Sequence, residues 1–515
     1  MFLPGRTGVT LVPLRLDEWL HQKNEVIEFL RRLLRGASAS IEKVFYFKLF
    51  TFSIMGCLLD CVQYMSGLIP TNLWDADFEK RAEEHPGGTC GILALGREDG
   101  TCFHYSLPLL PHEGAMRAEN EKYLGRALKT MFWLKGGSRV HLHGDADLVS
   151  FLSALYSATG ERHFDADFMG PKLCGEPLSF HHHETADSLP EPKSKVNSLG
   201  GHLDGCRIGF DLGGSDRKTA AVIDGKVVFS EEVPWDPYFE ADPNYHLEGI
   251  RHSLKRAAEH LPQVDAIGGS AAGNYMNNVV RVASLFRGVT DEERYEKEVR
   301  PMFLNLQKEW GNVPFEVIND GDVTALAAAM NFKIDSVLGI AMGTSMAVGY
   351  CDPQGQLTPG INELAFAPVD DDPNAAVDEW SGDRGCGVQY FSQQAVARHA
   401  KDLGINYGDM PFPEQLIEVQ NLMKTGDEKA ATIFSNIGSD LGHSIKHYSR
   451  FYEIRNLLIL GRVTSGEGGQ IILDKATETM AEHYPSLHEQ ISFVTPDETM
   501  KRHGQAIAAA SLPAL

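Results

Sequence analysis

Apolar positions change period several times along the chain, and each change marks an element. Leu247, Ile250, Leu254, Ala258 and Leu261 recur at three and four, which predicts an amphipathic helix. Phe434, Ile437, Leu441 and Ile445 predict a second, longer one. Short apolar runs at 207–211, 218–223 and 227–230 predict three strands, the last two joined through Asp224-Gly225, a strong hairpin signal. Further strands are predicted at 264–267, 314–318, 337–341 and 457–460, with a helix at 323–330. Three strands with tight turns, then alternating helices and strands, predict a mixed sheet flanked by helices.

The preceding part reads as α/β: helical over 16–64, two strands at 92–95 and 102–106 around a turn, a helix at 118–132, a strand at 139–143 and a helix at 146–156. It carries no glycine-rich phosphate turn. Between the two parts, Ser188, Pro190, Pro192, Ser194, Ser198, Gly200 and Gly201 occur without apolar periodicity, which is linker composition. At 515 residues the chain exceeds one ordinary core. The expected division is an accessory α/β domain at 1–184, a linker at 185–205, and two lobes at 206–335 and 336–515.

Charge removes some function classes. Acidic side chains outnumber basic ones by 70 to 47, so the formal charge is -23, and no basic segregation is visible. Such a surface repels nucleic acid, and none is expected as a partner. The most apolar run, 49–59, falls short of the roughly 20 residues that span a bilayer, so no membrane role is expected. The N-terminus lacks signal-peptide order, and eight cysteines in so long a chain make no disulfide framework, so the expected compartment is the cytoplasm. Cys57 and Cys61 read as buried thiols. His181-His182-His183 reads as solvated side chains beside the linker, and His163, Asp165 and Asp167 alternate as strand neighbours would.

Four elements carry candidate chemistry. Asp211-Leu212-Gly213-Gly214-Ser215 ends a strand and opens a hairpin; paired glycines let backbone N–H groups approach phosphate oxygens. The Asp211 carboxylate suits a magnesium ion held through its waters. Asn319-Asp320-Gly321-Asp322 lies where a strand ends and a helix starts; a carboxylate there can take a proton from an attacking hydroxyl, or simply cap the helix. Gly343-Thr344-Ser345 repeats the strand–turn–strand logic of the first element. An apolar strand also ends at Gly461-Arg462-Val463-Thr464-Ser465-Gly466, which suits close packing against a purine and ribose.

In this order the elements resemble the ROK family (repressors, open reading frames and sugar kinases) of the actin-like ATPase superfamily, over about 206–515. The resemblance implies a ribonuclease H-like α/β fold of two lobes, with nucleotide and substrate in the cleft between them. It implies ATP and Mg2+ as cofactors, phosphate contacts at Asp211, Gly213, Gly214, Ser215, Gly343, Thr344 and Ser345, and adenosine at Gly461. Asp320 would be the catalytic base, with Asn274, Asn319 and Glu363 facing a sugar. It also points to a homodimer.

The departures are informative. The family commonly has Glu-x-Gly-His, whose histidine joins three cysteines on zinc; here Glu363-Leu364-Ala365-Phe366 keeps the glutamate and loses the histidine. Of the cysteine cluster only Gly385-Cys386-Gly387 matches, so no zinc site is expected, with Phe366 packing where the metal would have been. Lys218 follows the first turn and reads as a solvated strand lysine. The expected function is ATP-dependent phosphorylation of a sugar or amino-sugar hydroxyl. The alternatives are a sugar-sensing transcriptional regulator, against which the apolar run at 45–61 argues, since a recognition helix presents polar and basic groups, and a non-catalytic sugar- or nucleotide-binding protein, which the altered zinc region keeps open.

Overall fold

The computed structural model describes residues 68–193, 199–495 and 504–515. The helical expectation over 16–64 and the Cys57–Cys61 pair lie outside the described residues. The α-helices of five or more residues and all strands are numbered here in chain order.

The first described elements are α1 (Thr71–Glu84), β1 (Thr89–Gly96), β2 (Cys102–Leu109), α2 (Gly114–Lys135), β3 (Arg139–His143), α3 (Ala146–Leu155), α4 (His163–Asp167) and β4 (Ser179–His183). The strands form one sheet in the order β2-β1-β3-β4. Leu93 and Leu95 of β1 and Leu142 of β3 meet Leu124, Leu128 and Phe132 of α2 in its core. One expectation is corrected here. His163, Asp165 and Asp167 lie on a helix, where Asp165 turns inward to meet a buried lysine instead of alternating along a strand. His181–His183, beside the expected linker, is strand and extends the sheet along β3 with His141 opposite His181. His181 and His182 are exposed as expected. His141 Nδ1 lies 3.0 Å from His183 Nε2, and burial among neighbouring imidazoles holds His141 down to about 4.

The first lobe holds β5 (Cys206–Leu212), β6 (Asp216–Ile223), β7 (Lys226–Pro234), α5 (Pro243–Ala258), β8 (Ala266–Ala271), β9 (Asn274–Met276), β10 (Val279–Val282), α6 (Met302–Glu309) and β11 (Phe315–Asn319). Its main sheet runs β11-β8-β5-β6-β7, so the strands stand 5-4-1-2-3 with the small hairpin β9–β10 set aside. β5 pairs parallel with β8 and antiparallel with β6. All seven β5 residues are buried, as a strand covered on both faces requires, whereas the edge strand β7 is half open.

The helix α7 (Asp320–Phe332) leads to the second lobe: β12 (Val337–Met342), β13 (Met346–Cys351), α8 (Gln393–Asp402), α9 (Phe412–Lys424), α10 (Glu428–Tyr448), β14 (Asn456–Leu460), α11 (Glu467–His483) and β15 (Ser492–Val494). Its sheet runs β13-β12-β14-β15, the same order as the first without a third strand. Leu338 and Ile340 meet Ile437 and Leu441 of α10 in its core.

The chain then returns to the first lobe. Its last helix, α12 (Gln505–Ala510), packs on β5 and β8, not on the second sheet. Small residues permit this: a Cβ on Gly209 would stand 1.8 Å from the Ala506 carbonyl oxygen, and one on Gly268 1.7 Å from that of Ala509. Residues of the expected linker are laid against the body, where Lys193 bridges to Cys102 and Leu199 to Leu357. Residues 66–515 form one compact unit.

Candidate active site

Parallel β5, β8 and β11 all end at the same edge of the first sheet, and the expected chemistry collects there. Asp211, the last residue but one of β5, is buried; Ser270 Oγ, from the neighbouring β8, donates to its Oδ1 at 2.6 Å. Burial pushes the Asp211 carboxyl up to about 6, and Asp320 nearby adds to this while Lys218 opposes it. Lys218 is correspondingly less solvated than expected, half-buried and 3.3 Å from Asp216. The Gly213–Gly214 turn is braced on one side by Trp235, whose Nε1 donates to the Gly213 carbonyl at 2.8 Å. On the other side lies Tyr238; a Cβ on Gly214 would stand 2.4 Å from its ring. Arg287 sits over that ring at 4.2 Å. Ser215 is exposed, its hydroxyl donating to Asp216 at 2.8 Å.

At the end of β11 the capping role falls to Asn319, not to an aspartate. Its Oδ1 accepts from Gly321 N at 2.7 Å, while its Nδ2 donates to the Gly273 carbonyl at 2.9 Å, tying the start of α7 to the turn before β9. Asp320, one residue on, keeps part of its surface open, and burial of its carboxyl raises its pKa. Asn274 Nδ2 donates to Glu363 at 2.9 Å, a contact made across 89 residues. Burial pushes Glu363 up to about 7, against the pull of that hydrogen bond, with Asp320 adding to the rise.

Asp322, the last residue of the Asn-Asp-Gly-Asp run, belongs to the site without a sequence signal of its own. It is buried, accepts from Asn362 Nδ2 at 2.7 Å, and burial pushes it up to about 7. Tyr452 donates to Asn362 Oδ1 at 2.8 Å and completes this relay. Only the buried partners distinguish Asp322 from a surface helix-start acid, and these come from 28 and more residues away. Trp235, Tyr238 and Arg287 left no sequence signal beyond being aromatic or basic residues in loops.

Asp211, Asn274, Asn319, Asp320 and Glu363 are thus drawn into one group. The second lobe supplies another. β12 and β14 run parallel, so Gly343 and Gly461 emerge at one edge of their sheet. Gly461 has φ +109°, and a Cβ there would lie 2.4 Å from the Met342 carbonyl oxygen, so the two turns touch. Thr344 and Ser345 are exposed at that edge, and Gln393 N donates to the Gly343 carbonyl at 2.9 Å.

Glu363 is held from the accessory domain. The last turn of α2 leaves carbonyls without intrahelical partners. The Trp133 oxygen accepts from Glu363 N at 2.8 Å and the Leu134 oxygen from Ile361 N at 2.9 Å. Phe366 stacks on Trp133, ring centroids 4.3 Å apart, with Phe164 at 5.9 Å, so the side chain that stands at the missing histidine is packed against the accessory core. The segment around Cys386 is fixed by charge: buried Lys129 reaches both Asp165, at 2.9 Å, and Asp383, with Arg162 beside them. Burial pulls the Lys129 ammonium down, but Asp165 and Asp383 outweigh it and hold it protonated.

Two lobes, each with a sheet ordered 2-1-4-5 and a glycine turn between its first two strands, are joined through a helix that begins at the site. This is the actin-like ATPase fold. Solved structures similar to this chain include a ROK hexokinase from Thermus thermophilus, at 19% identity and TM-score 0.47 over 60% of this chain and 97% of that one. A ROK family glucokinase from Streptomyces griseus, in complex with glucose and AMPPNP, is similar at 19% identity and TM-score 0.44 over 60% and 99%. A ROK family transcriptional regulator, a homologue of the E. coli MLC protein, is similar at 16% identity and TM-score 0.45 over 60% and 78%. No family model and no curated protein sequence matches the chain. Among the described residues of this actin-like ATPase fold, no helix is long and apolar enough to cross a membrane.

Proposed function

We propose that the chain is a ROK-type kinase that transfers the terminal phosphoryl group of ATP to a sugar or amino-sugar hydroxyl. The observation that carries this reading is Asp320: a part-exposed carboxyl at a strand end, beside Asn274, Asn319 and Glu363, with Asp211 two strands away in the same sheet. Asp320 accepts the proton of the attacking hydroxyl as the oxygen–phosphorus bond forms. Glu363, held by Asn274 and the end of α2, orients the sugar through hydrogen bonds to its other hydroxyls. Asn319 fixes the direction of Asp320 by locking the first turn of α7.

The residues fit a magnesium–nucleotide complex. Asp211 offers hard oxygen ligands, and burial has already made its ionised form costly, which a nearby cation would reverse. The bound magnesium ion would neutralise charge on the transferred phosphoryl group. Gly213, Gly214 and Ser215 on one side, with Gly343, Thr344 and Ser345 on the other, are read as the phosphate turns, and Gly461 as the adenosine turn.

Coupled ADP release with MgATP across hexoses, amino sugars and polyols tests this. Release that depends on one sugar and collapses in Asp320→Asn is the expected result. Nucleotide binding without turnover on any sugar would favour a sugar-sensing regulator instead.

A further inference from the structure

Away from the cleft, a cavity of about 370 Å3 opens between the accessory sheet and the second lobe. Its lining is basic and aromatic: Lys135, Lys193, His104 and Arg450, with the rings of Tyr105 and Phe451, and no acidic residue. In a chain of net charge -23, such a concentration is unusual. Arg450 is already neutralised by Asp75 and Glu79. Lys135 is not: among the described residues its neighbours are two aromatic faces, Phe103 at 5.4 Å and Tyr452 at 5.5 Å, and no carboxylate lies within ion-pair distance. Burial, with Arg97 nearby, holds its ammonium down to about 8 against the opposing pull of Asp322, which forms no ion pair with it. Tyr105 and Phe451 stack with centroids 5.1 Å apart, giving the cavity an aromatic wall.

We propose that this cavity binds a small phosphate-bearing organic molecule, its phosphate between Lys135 and Lys193 and its ring on the Tyr105–Phe451 wall. The volume suits a ligand of that size. An ammonium in a partly dry site gains most from a dianionic oxygen group, and the aromatic wall favours a planar or sugar ring over a bare anion. A sugar phosphate and a nucleoside monophosphate share this chemistry.

Isothermal titration of the full chain with inorganic phosphate, glucose 6-phosphate and AMP separates these sources. Each titration is repeated on Lys135→Met, which keeps the buried stem, and on Lys193→Glu, whose exposed position spares the fold. The expected result is binding of at least one organic phosphate, tighter than inorganic phosphate, and weakened tenfold or more by each substitution. Tighter binding of glucose 6-phosphate or of AMP names the source. No binding at millimolar concentration, preference for inorganic phosphate, or unchanged affinity in either variant would overturn the proposal. Because the titrations read no turnover, their failure leaves the kinase reading to its own test.

Discussion

Asn274 and Glu363 show how much of the candidate site rests on single contacts. Removing the amide in Asn274→Ala leaves a buried carboxyl without its donor, a loss of about 1–3 kcal/mol. Sugar KM should rise about tenfold with kcat less affected; an unchanged KM would show that Glu363 is oriented by other means. Four carboxyls with raised pKa values also set a pH signature. Asp322 is protonated in the folded chain up to about 7 but only near 4 when unfolded. The folded state therefore binds more protons in that window, and this contribution to stability is present below pH 4 and lost as pH rises through 7. Relative to Asp322→Asn, the ligand-free wild type should lose melting temperature between about pH 4 and 7. Parallel Tm curves for the two proteins would contradict the burial argument. In the opposite direction, kcat/KM should fall with falling pH as Asp320 is protonated, with its acid limb above the ordinary carboxylate range. A profile flat down to pH 4 would exclude a base with a raised pKa.

At the scale of elements, the sequence was most legible where local pattern and tertiary role agree. The strand at 139–143 and the hairpin through Asp224-Gly225 follow from alternation and turn chemistry, and β5, β11 and β12 fall within about a residue of their predicted ends. The strand at His181–His183 has no local signal, because its strand character comes from pairing with β3, which three polar residues do not announce. Asp165 looks like a strand position for a similar reason: its partners, Lys129 and Trp133, lie a full helix away. The candidate site divides the same way. Asp211, Asn319 and Asp320 sit in short motifs, whereas the hold of α2 on Glu363 depends on carbonyls at a helix end, which no side-chain pattern reports. Helix α2 therefore makes an element-scale prediction. Lys129→Met strands Asp165 and Asp383 without their shared cation and should cost about 3–5 kcal/mol, read as a lowered denaturant midpoint. A change below ~1 kcal/mol would mean that Arg162 alone balances both acids.

Over the whole molecule, the accessory sheet is not an appendage. Leu68 and Leu134 enter the core of the second lobe, Ile361 enters the accessory core, and Arg126 links Asp75 to Asp371 across the boundary. The α12 helix fastens the chain end to the first sheet, closing the two lobes into one unit. Residues 66–515 should consequently unfold together, and calorimetry should show one main transition that Lys129→Met shifts as a whole; a separate accessory transition would contradict this. The central claim concerns phosphoryl transfer, and phosphorus NMR of the chain with MgATP and its active sugar tests it most directly. The account predicts loss of the γ-phosphate signal matched by a new sugar phosphomonoester signal, both absent in Asp320→Asn. A signal of inorganic phosphate alone, or the same phosphomonoester at the same rate from Asp320→Asn, would contradict it.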